Sequence, residues 1–185
     1  MTPPSATDSP ALSSPDGPGA TDDLEEARSG GASAWFLLVI AVVGLGVSAY
    51  LTTLHYAAIP ALCPGSGGII DCQGVLTSSY SVVPGTSIPV TVPGMLWFLV
   101  SGWLAVLSLA AGRRGEDDPT WLRPLHLAWT VVGLAAALYF VFCELVKLHE
   151  ICVWCTSVHL MVFVSLLVAA VRFQGGGAPV EDAPR

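Results

Sequence analysis

Between Arg28 and Asp71 this chain carries no Asp, Glu, Lys or Arg, and inside that gap lies an unbroken apolar run from Trp35 to Tyr56. With a rise of about 1.5 Å per residue, a helix over that run reaches roughly 33 Å, enough to cross a hydrocarbon core of about 30 Å. Three more runs of similar character follow. The second begins near Pro93 and ends at Ala111, where Arg113 and Arg114 stop it. Pro93 suits a first helical turn, because its missing N–H has no intrahelical partner there anyway. The third spans Leu125 to Val146, with Glu144 near its end, and the fourth spans Ile151 to Val171, closed by Arg172 and three glycines from Gly175. Only 11% of residues are charged and mean hydropathy is +0.67; a soluble domain carries about 25% charged residues. Lipid is therefore the expected solvent, and the expected fold is an all-α membrane protein built as a four-transmembrane-helix bundle.

The formal charge of −7 resides mostly in the two ends and one short loop, the last holding Asp117 and Asp118. It reads as solvated acidity that implies no particular partner. The few basic residues form no stripe, which excludes nucleic-acid binding. Residues 1–33 are rich in Pro, Ser, Thr, Ala, Gly and Asp with no apolar period, so the chain divides into a disordered tail (1–33), a membrane domain (34–173) and a second disordered tail (174–185). The first tail lacks the basic n-region of a signal peptide, which favours an inside N-terminus. Arg28, Arg113, Arg114, Arg123 and Arg172 then fall inside and only Lys147 outside, as positive-inside topology requires. The expected location is the cell (plasma) membrane, multi-pass, with both termini cytoplasmic.

That orientation sends the loop from Ala57 to Val92 and the turn from Lys147 to Glu150 to the outer face. Cys63, Cys72, Cys152 and Cys155 all land there, in a compartment that permits disulfides. Cys152-Val-Trp-Cys155 opens the fourth helix, where positions i and i+3 share a face and the two sulfurs can bond or exchange. The partial positive charge of a helix N-terminus favours a thiolate; Lys147 and protonated His149 add to this, and Glu144 and Glu150 oppose it. A lone C-x-x-C also suits a metal or a plain disulfide, but a second external pair favours redox exchange. Cys63 and Cys72 admit two readings, a staple for their own loop or an exchanging pair. The glycines after Cys63 read as flexible coil and favour exchange. The segment from Asp71 to Tyr80 is a candidate short amphipathic helix. Cys143, inside an apolar run, reads as a packed core cysteine.

Electrons leaving a dithiol at a membrane surface need an acceptor dissolved in the membrane. The chain shows no haem-attachment motif, dinucleotide fingerprint or phosphate loop, so a quinone is the expected cofactor. The Ala- and Gly-rich composition fits a high-GC bacterium and so menaquinone rather than ubiquinone. Its ring calls for apolar and aromatic walls with a few hydrogen-bonding groups, for which Trp97, Phe98, Phe140 and His159 are the candidates. His159 lies one turn beyond Cys155 on the same face.

These residues resemble the vitamin K epoxide reductase family in its bacterial form. The resemblance covers about residues 35 to 173. It rests on Cys63…Asp71-Cys72-x-x-Val75-Leu76-Thr77-Ser78, on Ile88-Pro89…Gly94…Trp97-Phe98, and on Cys152-Val153-Trp154-Cys155-Thr156. It implies a four-helix bundle around a quinone, with the external loop and its short helix as the cap. By that mapping Cys63 exchanges with a partner protein and Cys72 relays to Cys152. Cys155 then delivers electrons to the quinone, and Ser78 holds the capping segment near the site. The implied partner is a separate DsbA-like thioredoxin-fold protein, alongside the quinone and membrane lipid. The chain departs from the vertebrate pattern in having Val90 in place of an asparagine and His159 in place of a tyrosine, so hydrogen bonding to the quinone is expected to differ.

Two alternatives stand beside this reading. One reverses the net flow, the chain serving the quinone pool as a reductase. The other is a cysteine-ligated metal-binding or transport protein, which needs polar residues lining a mid-membrane path; only Ser48, Thr52, Ser101, Ser108, Thr130 and Ser165 are available, and the expected metal ligand set is empty.

Overall fold

A computed structural model describes residues 18–65 and 67–175, with side chains from Gly30 onward. The helices are α1 (Pro18–Ala57), α2 (Cys72–Thr77), α3 (Thr91–Arg113), α4 (Leu122–Phe142) and α5 (Val153–Gly175). A 3₁₀ turn, Ser79–Ser81, follows α2, and a π-helical turn, Cys143–Leu148, extends α4. Four segments are long and apolar enough to cross a membrane: Gly30–Ala57, Thr91–Arg113, Leu122–Leu148 and Val153–Gly175. Among the described residues there are no strands, only isolated bridges.

The helices pack as a closed ring in which α1 meets α3, α3 meets α4, α4 meets α5 and α5 returns to α1. Without a hydrophobic drive between helices in lipid, close packing of small residues against large ones sets the contacts. Gly44 of α1 receives the ring of Phe98, and Gly133 of α4 receives the indole of Trp97; a Cβ at either position would collide with those rings. Trp97, Phe98, Ala137 and Val162 form the buried core. Val42, Trp103, Val132, Leu160 and Val171 face outward, as a lipid-facing surface demands. Three buried hydroxyls are satisfied on their own helices: Ser101 donates to the Trp97 carbonyl (2.9 Å), Thr130 to that of Leu127 (2.8 Å) and Ser165 to that of Met161 (2.8 Å).

Two features depart from the sequence reading. α1 runs back to Pro18, so helix replaces the expected disorder over residues 18–33, while residues 1–17 and 176–185 lie outside the described residues. Leu24, Glu25, Glu26, Ala27 and Arg28 are strong helix formers, and a helix already nucleated in the membrane extends at little cost. Asp118, read as solvated loop acidity, has a side chain only 8% exposed and is bound by Arg172 (2.9 Å) and Arg123 (3.2 Å). A carboxylate between two arginines and the Ser108 hydroxyl (2.6 Å) is stabilised by them, not by water.

Candidate functional site

The loop between α1 and α3 is ordered by local capping. The Asp71 carboxylate accepts the Gly74 N–H (2.9 Å) and starts α2. Ser78 ends it, its hydroxyl donating to the Val75 carbonyl (2.8 Å). A turn then pairs Val83 N–H with the Ile88 carbonyl (2.8 Å) and Val90 N–H with that of Ser81 (2.9 Å), delivering the chain into α3. The short helix expected between Asp71 and Tyr80 is present as α2 and the following 3₁₀ turn. Cys63 and Cys72 are joined as a disulfide.

Three hydrogen bonds tie this loop to the start of α5. Ile70 and Ile151 form a parallel bridge, with Ile151 N–H donating to Ile69 (2.8 Å) and Asp71 N–H donating to Ile151 (3.2 Å). The Trp154 indole N–H donates to the Leu62 carbonyl (2.7 Å), and the ring packs edge-on against Tyr50. The bridge sets the residues before Cys72 and Cys152 side by side, and the indole bond joins the neighbour of Cys63 to the neighbour of Cys155. Cys72 and Cys152, both fully buried, share one cluster with Val75, against which Cys63 and Cys155 pack. The two pairs, 89 residues apart in sequence for Cys63 and Cys152, therefore meet at one end of the bundle.

Cys152 and Cys155 are free thiols. Cys152 immediately precedes α5, and its sulfur accepts the Cys155 N–H (3.3 Å) as a capping side chain does. The Cys152 thiol is held below the usual cysteine range, first by the hydrogen bond with the Cys155 side chain and then by backbone N–H groups, against burial and the Glu144 charge, which push it up. Of the four charged neighbours weighed from sequence, Glu144 alone figures among these influences; Lys147 lies over the Phe142 ring.

Below the pairs opens an apolar cavity of about 390 Å³, within the size range of small-molecule sites. Cys155 lines it, as do Ser78, Trp97, Phe98, Phe140 and His159. Their parts differ. The Ser78 hydroxyl is committed to α2. The Trp97 and Trp129 indoles each donate to the other residue's carbonyl (3.2 Å both ways), clasping α3 to α4, so Trp97 offers a wall rather than a donor. Phe98 is nearly sealed in the core. Phe140 and His159 stack with an interplanar angle of 3°. His159 Nδ1 is buried with no hydrogen-bond partner, a polar atom left for a ligand. An apolar space with one orphaned imidazole nitrogen at its wall fits a quinone ring and carbonyl. Val90 also lines the cavity and offers no hydrogen bond.

Two wall residues were not counted as site residues from sequence. Cys143 is buried as expected but faces the cavity, and Glu144, 5% exposed, lines it too. The π turn turns both inward. Its signal in the sequence was a lone carboxylate inside an apolar run. Among the described residues no group of three or more His, Cys, Asp or Glu is placed to hold a metal ion.

Comparison with family models matches residues 35–170 to the vitamin K epoxide reductase family. The chain belongs to that family. Comparison with curated proteins gave no match. As a member of the vitamin K epoxide reductase family, the chain is a multi-pass membrane redox enzyme of a quinone-associated family whose members generally work with thioredoxin-fold partners.

Proposed function

We propose that this chain oxidises the dithiol of a DsbA-like thioredoxin-fold protein and passes the electrons through Cys63/Cys72 and then Cys152/Cys155 to a quinone, supporting disulfide formation outside the cytoplasm. The observation that carries this reading is the packing of the Cys63–Cys72 disulfide against Cys152, with Cys155 opening onto the apolar cavity. A partner thiolate attacks Cys63, releases Cys72 as a thiolate and departs oxidised when its second thiol displaces Cys63. Cys72 attacks Cys152 in the oxidised second pair and expels Cys155; Cys63 then closes on Cys72. Two electrons have now reached the second pair, with the first pair closed again as a disulfide. Bound quinone supplies a two-electron, two-proton acceptor beside that pair. The walls of Trp97, Phe98 and Phe140 keep its site apolar, and His159 Nδ1 is the polar group free to address a carbonyl. Such partner oxidases are poised near about −120 mV, so the acceptor must lie above that.

In a Cys155→Ala variant, Cys152 has lost its resolving partner and its thiolate attacks Cys72, releasing Cys63. Peptide mapping is expected to find a Cys72–Cys152 cross-link, with no quinol formed when a reduced thioredoxin-fold oxidase is added. Wild-type quinol formation by this variant would overturn the reading. Membrane-impermeant thiol reagents applied to intact cells test the sidedness: they are expected to reach Cys63 after mild reduction, and protection there would place the loop inside.

A further inference from the structure

Glu144 is the one carboxylate on the cavity wall, and its place there is built by an unusual piece of backbone. A single π turn, Cys143–Leu148, interrupts the regular end of α4; such turns concentrate at functional sites because one extra residue re-aims the side chains around it. Here Cys143 and Glu144 are buried while Leu145, Val146 and Lys147 are exposed. The turn closes at His149 in the left-handed conformation (φ 58°), and both the His149 and Glu150 N–H groups converge on the Glu144 carbonyl. The residue that anchors the connection to Cys152 is thus the one whose carboxyl faces the cavity.

No ion pair offsets this carboxyl among the described residues. The cavity wall holds no Lys or Arg, and its other titratable groups are His55, Tyr80, Cys143, Cys155 and His159. From the loop, Glu150 packs over Gly74. The Cys152 backbone N–H is the one partner the carboxyl has, and burying a carboxyl without an opposite charge is costly, so a packed apolar residue would serve stability better.

We propose that Glu144 is the proton acceptor for the second thiol pair, taking the proton of Cys155 as that sulfur is made ready to give up electrons. This rests on the function proposed above. Cys155, expelled as a thiolate, takes a proton from water in the reduced pair; its S–H bond then breaks, a carboxyl O–H bond forms on Glu144, and the bonding electron pair stays on sulfur. As the Cys152–Cys155 bond forms, two electrons leave for the bound quinone and Glu144 releases its proton with them. The second proton of the quinol balances the one that Cys152 gives to water on becoming a thiolate.

The test is Glu144→Gln in the full-length chain, read in two ways. In the reduced, quinone-free protein, iodoacetamide labelling of Cys152 and Cys155 is followed against pH by peptide mapping. Removing a negative charge next to the thiols is expected to move both labelling midpoints to lower pH. Quinol formation with a reduced thioredoxin-fold oxidase is expected to fall about 10²-fold, the range of a lost acid–base group, and Glu144→Asp to recover part of it. More thiolate with less turnover is a combination that a merely electrostatic or structural role does not produce. Turnover that rises with the thiolate fraction, or stays at the wild-type level, overturns the proposal. An unfolded Glu144→Gln, detected by loss of the Cys63–Cys72 disulfide, shifts the decision to Glu144→Asp: intact labelling with slowed turnover supports the role, and wild-type turnover overturns it. Cys155→Ala run alongside separates the two readings, since turnover surviving there defeats the relay itself, not Glu144 alone.

Discussion

At the cysteine end of the bundle, the loop is joined to α5 by two backbone hydrogen bonds, one indole hydrogen bond and the burial of sulfur on sulfur, with no ion pair among the described residues. At the opposite end, Asp118 is gripped by Arg172 and Arg123 and by the Ser108 hydroxyl, and Arg172 donates to Ser108 as well, binding the α3–α4 connection to the end of α5. Under the proposed relay, neutral contacts of modest strength let the loop shift as disulfides are made and broken. Buried charges do not permit such shifts, because each is costly once its partner leaves. On that proposal one end is fitted to exchange bonds and the other to hold the frame that lets it do so.

Breaking the charged end gives the largest effect expected on stability. Asp118→Ala strands Arg172, whose side chain is 11% exposed, and is expected to cost about 3–5 kcal/mol, read from thermal melts in detergent. Thiol exchange by the molecules that remain folded is expected to be unchanged; a parallel loss would mean the two ends are coupled and the division drawn above is wrong. Trp154→Phe probes the other end. It removes the bond to Leu62, a loss of about 0.5–1.5 kcal/mol, and is expected to slow formation of the Cys72–Cys152 cross-link in a Cys155→Ala background more than it lowers the melting temperature. The smallest effect sharpens the contrast through pH. The Cys152 thiolate is stabilised chiefly by Cys155, so in Cys155→Ala, once its Cys72–Cys152 cross-link is reduced, the pH at which Cys152 becomes half-reactive to iodoacetamide is expected to rise. Below that midpoint Cys152 is protonated and slow; above it the thiolate prevails. Asp118→Ala is expected to leave this midpoint where it was.

Much of this molecule was legible in the sequence for a simple reason. Lipid cannot satisfy a backbone hydrogen bond, so long apolar runs must be helices, and the four runs appear as four spanning helices within a few residues of the expected bounds. The gathering of the four cysteines was also legible, since a C-x-x-C at a helix start and a pair in the preceding loop fall at the same end of the spanning helices. The four residues named for the quinone, and Ser78 of the cap, all reach the cavity wall, yet their individual parts were not readable. Trp97 spends its N–H on Trp129 and His159 keeps a nitrogen free, a distinction made by neighbours thirty residues away or on another helix.

The sequence by itself determined which helices are long and apolar enough to cross a membrane, and that four cysteines gather at one end of them, because both follow from local composition and spacing. Tertiary structure alone decided that Ile70 pairs with Ile151, that Asp118 is buried with Arg172, and that the π turn aims Glu144 at the cavity. Those outcomes depend on which helices become neighbours in the ring and on a one-residue change of register at the end of α4. Hydrophobic pattern does not encode either: every face of such a helix is apolar, so periodicity cannot say which side meets protein and which meets lipid.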